Sequence, residues 1–194
     1  MARTKEFDPD AALRSALELF WERGYEATSL ADLVAHLGIA RASLYATFGG
    51  KQELYAKALE RYGEEHGTCL VEELSQPGPA LPAVRAMVRR FAAESTDEER
   101  RRKGCFVVNT AVELASRDPA AARNVEVSWE TLETALTSAL IRARAQGELP
   151  EGREPRALAR MLLVLMQGMR VVGMGSHSPA RLRDATEQAL SLLD

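Results

Sequence analysis

Three groups of residues in this 194-residue chain have types and spacing suited to chemistry. Arg41 and Lys51 are the only Lys or Arg between Leu33 and Gln52, a run without a single acid although the segments on both sides are rich in Asp and Glu. Positive charge cleared of neighbouring carboxylates suits contact with phosphate. Cys105 directly follows Arg100-Arg101-Arg102-Lys103-Gly104 and precedes an apolar run. Cations and the exposed amides of a helix start both favour a thiolate, the form that meets oxidants and electrophiles. The same position equally suits a small buried hydrophobe. A third, looser set consists of Asn109, one turn after Phe106, with Trp129, Met161, Met166 and Met169. Asn109 either orients a ligand or bonds to a neighbouring helix. The ring and the thioethers could wall a pocket or simply fill core.

Other chemistries find no support. His36, His66 and His177 are the only histidines. None joins a serine or cysteine in a nucleophile motif, and there is no glycine-rich phosphate loop and no metal-ligand spacing, so neither an enzyme, a cofactor nor a metal is expected. The two cysteines, Cys69 and Cys105, have no paired spacing, which argues against a disulfide framework and for a reducing cytoplasm. No secretory leader is read at the N-terminus, where acids precede any apolar run, and no membrane span is expected, since Gln167 and Arg170 interrupt the candidate that starts at Met161. With 46% apolar and 27% charged residues the chain reads as globular. Its 25 basic and 28 acidic residues, a net charge of -3, exclude a partner held by bulk positive charge.

Helices must position these residues, because Ala, Leu, Glu and Arg dominate and no stretch alternates for long. Leu13, Ala16, Leu17 and Phe20 put one apolar face on a helix from Pro9 to Gly24. Thr28 or Ser29 can cap a second, which carries Leu30, Leu33, Val34 and Leu37 and stops at Gly38. A third occupies Ala40 to Ala46, and a fourth runs from Lys51 towards Leu74. After the break at Gln76-Pro77-Gly78-Pro79, helices are expected at Leu81 to Glu94, Gly104 to Ser116, Pro119 to Gln146, Pro155 to Gly173 and Pro179 to Leu193, about nine in all. The fold class is all-α.

Two short helices joined by a tight glycine turn, with a third packed before them, form a helix-turn-helix over about residues 29 to 48, whose second helix would enter a DNA groove. The net charge of the region does not announce this: residues 1 to 62 hold eight Lys/Arg against nine Asp/Glu. Only the local charge pattern does.

These residues also carry a resemblance. Ala12-Leu13 through Phe20, Gly24-Tyr25-Glu26-Ala27-Thr28-Ser29, Leu33-Val34-Ala35 to Leu37-Gly38-Ile39, Ser43-Leu44-Tyr45-Ala46-Thr47-Phe48 and Lys51-Gln52-Glu53-Leu54 together resemble the N-terminal domain of tetracycline-repressor-type (TetR) transcriptional regulators. The resemblance implies a homodimer whose subunits carry a three-helix DNA-binding domain, residues 6–66, and a helical effector-binding and dimerisation domain, residues 67–194. It implies that Arg41, Ala42 and Ser43 meet base edges, and that Tyr45, Thr47, Lys51, Thr28 and Ser29 meet phosphates of a pseudo-palindromic double-stranded operator. Arg3 and Lys5 are expected to reach a minor groove or a phosphate. Taken singly, Tyr45 could instead pack on the first helix, and Arg41 could be a solvated side chain. Ala40 departs from the family's frequent serine or threonine cap. Arg102 through Ala115 looks like a motif in one group of these regulators, some of which sense electrophiles or oxidants through the cysteine after the glycine, while others bind aromatic molecules. The effector site is therefore expected among Cys105, Phe106, Asn109, Trp129 and Met166. Pairing of the last two helices with their copies, through Leu182, Ala185, Ala189, Leu190 and Leu193 and the small-residue run from Gly168 to Gly175, is expected to build the dimer. The reading is a repressor released by a small-molecule or redox effector; the alternative is a helical adaptor that binds only protein.

Overall fold

The structure is a computed structural model describing residues 7–175 and 178–194, so Arg3, Lys5 and His177 lie outside the described residues. Among these there are ten helices: α1 (Pro9–Arg23), α2 (Leu30–Leu37), α3 (Arg41–Phe48), α4 (Lys51–Ser75), α5 (Ala80–Thr96), α6 (Glu98–Lys103), α7 (Phe106–Glu113), α8 (Pro119–Ala145), α9 (Pro155–Gly175) and α10 (Pro179–Ser191). Nine of them stand where the sequence pattern places a helix. The tenth, α6, is six residues of charge, EERRRK, with no apolar stripe to announce it. Asp97 starts it by accepting the Arg100 amide at 2.9 Å.

Helix starts follow from the sequence. Ser29 and Asp32 form a reciprocal capping box at α2: the Ser29 Oγ accepts the Asp32 amide at 3.1 Å and the Asp32 carboxylate accepts the Ser29 amide at 2.9 Å. Gly38 then takes the left-handed conformation, φ 63°, that turns the chain into α3. Helix α3 starts at Ala40 without a side-chain cap, as its methyl dictates.

Two apolar cores form. The first gathers Ala16, Leu17 and Phe20 of α1, Leu33, Ile39, Leu44 and Phe48 of the helix-turn-helix, and Leu54, Tyr55, Leu59 and Tyr62 of α4. Phe106, Val107 and Leu114 from α7 and its end, with Ala121 and Val125 of α8, close it from below. The second core holds Leu74 with the apolar faces of α5, the later part of α8, α9 and α10. Helix α4 belongs to both and runs unbroken through residue 66.

The face of α10 expected to stay open is closed within the subunit: Leu182, Ala189, Leu190 and Leu193 are buried in the second core. What α9 leaves outside is a stripe of Val164, Val171 and Val172, 71, 45 and 41% exposed, with Gly168 one turn from Val164. Because both its faces are apolar, α9 is long and apolar enough to cross a bilayer by length and composition only. Its inner stripe, Leu158, Leu162, Met166 and Met169, is nevertheless spent on the protein's own core.

Candidate nucleic-acid interface and cavity

On α3 the buried Leu44 and Phe48 fix the helix to the first core, which turns the opposite side outward. Arg41, Ala42, Tyr45 and Ala46 are exposed there, and Ser43 and Thr47 are half-buried at its edges. The Arg41 guanidinium lies 5.8 Å from the Tyr45 ring, so cation and phenol share one surface. Lys51 opens α4 beside it, with its ammonium 4.1 Å from the centre of the Tyr25 ring. Burial, with the carboxylates of Glu26, Asp118 and Glu53, raises the Tyr25 phenol's pKa and keeps it neutral. The outcome is an exposed patch in which an arginine fork, a hydroxyl-bearing ring and an ammonium lie together, with the Glu53 carboxylate beside Gly50 at its edge.

Ser29 is exposed at the start of α2, as a phosphate contact requires, but its hydroxyl also donates to Asp32 at 2.5 Å. That bond, and the amide bond beside it, hold the Asp32 carboxyl below its ordinary pKa. Thr28 does not fit the expected role. Its side chain is fully buried and its hydroxyl donates to the Gly24 carbonyl at 2.7 Å, so it braces the turn from inside.

A cavity of about 670 Å³ opens between the helices on the far side of α4. Trp21 of α1, Tyr62, His66 and Cys69 of α4, Phe91 and Glu94 of α5, Arg100 and Lys103 of α6, Trp129 of α8 and Arg170 of α9 line it, with Cys105 at the α6–α7 junction. Cys105 is half-buried and immediately precedes α7, one residue ahead of the expected first turn. The Tyr62 hydroxyl donates to its Sγ at 3.7 Å. Burial and the neighbouring sulfur push that phenol well above its ordinary pKa, so it remains a donor. His66 stacks on Tyr62 with ring centres 3.8 Å apart and bonds through Nδ1 to the Tyr62 carbonyl at 3.0 Å. Loss of water, with one edge still exposed, lowers its pKa and favours the neutral ring.

Of the residues expected at the effector site, Cys105 and Trp129 reach this cavity. Phe106 is buried in the first core beneath Tyr55 and Tyr62. Asn109 donates to the Lys103 carbonyl at 2.9 Å and so ends α6, the neighbouring-helix role. Met166 and Met169 are second-core residues, and Met161 packs against that core. The cavity residues that the sequence reading missed are chiefly Trp21, Tyr62 and Arg170. Tyr62, His66 and Cys69 recur at helical spacing on α4, a mixed aromatic and polar stripe that was legible as a wall.

Between patch and cavity lie polar ties from α7 to the DNA-facing helices. The Glu113 carboxylate accepts the amides of Tyr25 and Glu26 at 3.0 and 2.8 Å. Tyr55 and Thr110 share a buried hydroxyl bond of 2.8 Å, and the Trp21 indole donates to the Gly104 carbonyl at 3.1 Å.

A recognition helix presented by a helix-turn-helix, carried on a helical body with an internal cavity, defines a DNA-binding regulator. Residues 12–58 match the family model described as bacterial regulatory proteins, tetR family, and residues 80–190 match a tetracyclin repressor-like C-terminal domain. The chain belongs to the TetR family of transcriptional regulators. It is 40% identical to the uncharacterized HTH-type transcriptional regulator YezE of Bacillus subtilis, over the full length of both chains. It is 32% identical to the HTH-type transcriptional repressor ComR of Escherichia coli, covering 98% of this chain and 90% of that one. Among solved structures, a cysteine-substituted TetR family regulator CifR in complex with a 26-bp double-strand operator superimposes with a TM-score of 0.83 at 29% identity, over the whole of both chains. The reduced form of E. coli NemR shares the fold, with a TM-score of 0.86 at 20% identity over 95% of this chain and 96% of that one.

Proposed function

We propose that the protein is a cytoplasmic homodimeric repressor whose recognition helix α3 reads a pseudo-palindromic operator and whose cavity takes the effector that releases it. The observation that carries this reading is the outward face of α3, where Arg41, Ala42 and Tyr45 stand exposed on a helix that itself carries no acid. Arg41, Ala42 and Ser43 meet base edges. Tyr45, Thr47, Lys51 and Ser29 hold phosphates, and Thr28 acts only through the turn it braces. The DNA-binding unit is residues 6–66 and the effector and dimer unit residues 67–194. The exposed valine stripe of α9 supplies the apolar surface for a second copy. Operator affinity then falls when the effector favours the dimer geometry that separates the two recognition helices.

The effector is a small molecule in the cavity or an electrophile or oxidant at Cys105. The half-buried sulfur on the cavity wall and the Tyr62 donor beside it support the second possibility. A gel-shift on the DNA upstream of the protein's own coding region, at two salt concentrations, tests the regulator reading. Retarded DNA whose amount drops as salt rises is expected, whereas no binding at low salt favours the protein-only adaptor. Oxidant added to the complex tests the thiol: release that persists unchanged in Cys105→Ser removes Cys105 from the mechanism.

A further inference from the structure

The cavity is asymmetric in what it offers a ligand. Glu94, only 13% exposed, is the single carboxylate on which three guanidinium groups converge: Arg100 and Arg170 at 2.7 Å and Arg90 at 3.2 Å. Arg90 also reaches Glu73 at 2.5 Å, so three positive charges meet two negative ones. Lys103 adds a fourth cation to the wall, with its ammonium 5.5 Å from the Trp21 ring. Asp97 and Glu99 also line the wall, Asp97 as the cap of α6 and Glu99 exposed, so Glu94 is the carboxylate that Arg170 meets.

Hydrogen bonding leans the same way. Among the described residues, three buried side-chain polar atoms have no partner, and two of them, the Trp129 Nε1 and the Arg170 Nε, belong to cavity residues. Both are donors, so the group that suits them carries acceptors. Arg170 is held in place for this: its guanidinium lies 4.6 Å from the Phe91 ring centre and its Nη2 is tied to Glu94. The rest of the wall is flat and aromatic, with Trp21 edge-on to Tyr62 at 5.0 Å and Tyr62 stacked on His66.

We infer that the effector cavity takes a planar organic anion, an aromatic carboxylate, with the carboxylate at Arg170 and the ring against Trp129 and the Trp21–Tyr62 pair. This rests on the effector-regulated reading above and names the ligand's class. Arginine is the side chain whose fixed fork suits a carboxylate, and Arg170 keeps a buried donor that its bond to Glu94 does not use.

The chain's two tryptophans both line the cavity, so intrinsic fluorescence reports occupancy directly. Purified protein is titrated with benzoate, cinnamate and salicylate, with neutral cinnamamide, and with cationic benzylamine. The carboxylates are expected to bind at least roughly tenfold more tightly than the amide or the amine. Arg170→Gln weakens the carboxylates about ten- to a hundredfold while changing cinnamamide by less than about threefold. Arg170→Lys, which keeps the charge on Glu94, recovers part of that loss. Trp129→Phe, which keeps an aromatic ring, removes the donor and leaves Trp21 as the reporter, weakens them roughly three- to tenfold. The inference is overturned if amide or amine binds as tightly as the carboxylate, if Arg170→Gln and Arg170→Lys both bind carboxylates like the parent, or if no carboxylate binds protein that still retards operator DNA. Arg170-dependent carboxylate binding by protein that retards no DNA would instead remove the regulator reading and keep the ligand class.

Discussion

Arg41 stands at the first position of α3, a helix without an acid, and the role proposed for it is discrimination. Paired with a guanine it contributes roughly 1–3 kcal/mol against the wrong base. Arg41→Ala is therefore expected to lower operator affinity by about ten- to a hundredfold and to flatten the base preference at one operator position, read by fluorescence anisotropy on single-base operator variants. Lys51→Gln should behave differently: weaker binding to every sequence alike, with the salt slope reduced by about one. The charge pattern around Arg41 and Lys51 was legible because a run without acids is a property of residue types alone. Thr28 was misread, since a threonine before a helix start has the same type whether its hydroxyl faces phosphate or, as here, the Gly24 carbonyl. Titration follows the caps. The carboxyls of Asp32 and Asp118 both sit below their ordinary 3.8, the first through its bonds from Ser29, the second through amide bonds at the start of α8. A carboxylate depressed in the folded state lends stability that is complete well above its unfolded value and is lost as pH falls through its folded value. The urea midpoint should thus decline below about pH 4, with a shallower decline in Asp118→Asn, whose amide still caps but cannot titrate.

At the scale of elements, most of the fold could be read because nine helices announce themselves by apolar periodicity or by proline and glycine punctuation. Helix α6 could not, since a six-residue run of charge has no apolar stripe and is held at its ends by the Asp97 cap and by the Asn109 side-chain amide, which donates to its last carbonyl. Polar ties across long sequence separations were equally silent, as with Glu113 on the Tyr25 and Glu26 amides. Neither partner signals the other in the sequence. Two substitutions probe these elements. Ala40→Ser supplies the missing cap at a position whose backbone is already extended, φ -66° and ψ 146°, and should raise stability by about 0.5–1 kcal/mol in urea unfolding. Glu113→Ala removes a charged acceptor from two amides and should cost about 1–3 kcal/mol by the same measurement. Space is tight there: a Cβ on Gly24 would come within 3.1 Å of the Glu113 carboxylate, on a backbone with φ 82° that favours glycine.

For the whole molecule, the outer stripe of α9 makes a prediction of its own. Val164, the most exposed of its valines, becomes arginine in a variant that should sediment as a monomer and lose operator affinity steeply with dilution. A dimer that survives Val164→Arg at micromolar concentration would place the interface elsewhere. The sequence reading proposed α9 and α10 together for this role and could not see that α5 already packs on the apolar face of α10, because periodicity reveals that a face is greasy but not what lies against it. The dependence of the first core on α7 bears on how such proteins can be recombined. Phe106 fills the space under Tyr55 and Tyr62, Thr110 meets the Tyr55 hydroxyl, and Glu113 secures the turn before α2. A hybrid regulator cut where the N-terminal family match stops, at residue 58, would separate a DNA-reading head from half of its own floor. Working chimaeras therefore have to transplant α7 together with the head, or redesign its Phe106, Thr110 and Glu113 to suit the new one, so inheritance of operator choice and inheritance of effector choice are not freely separable in this chain.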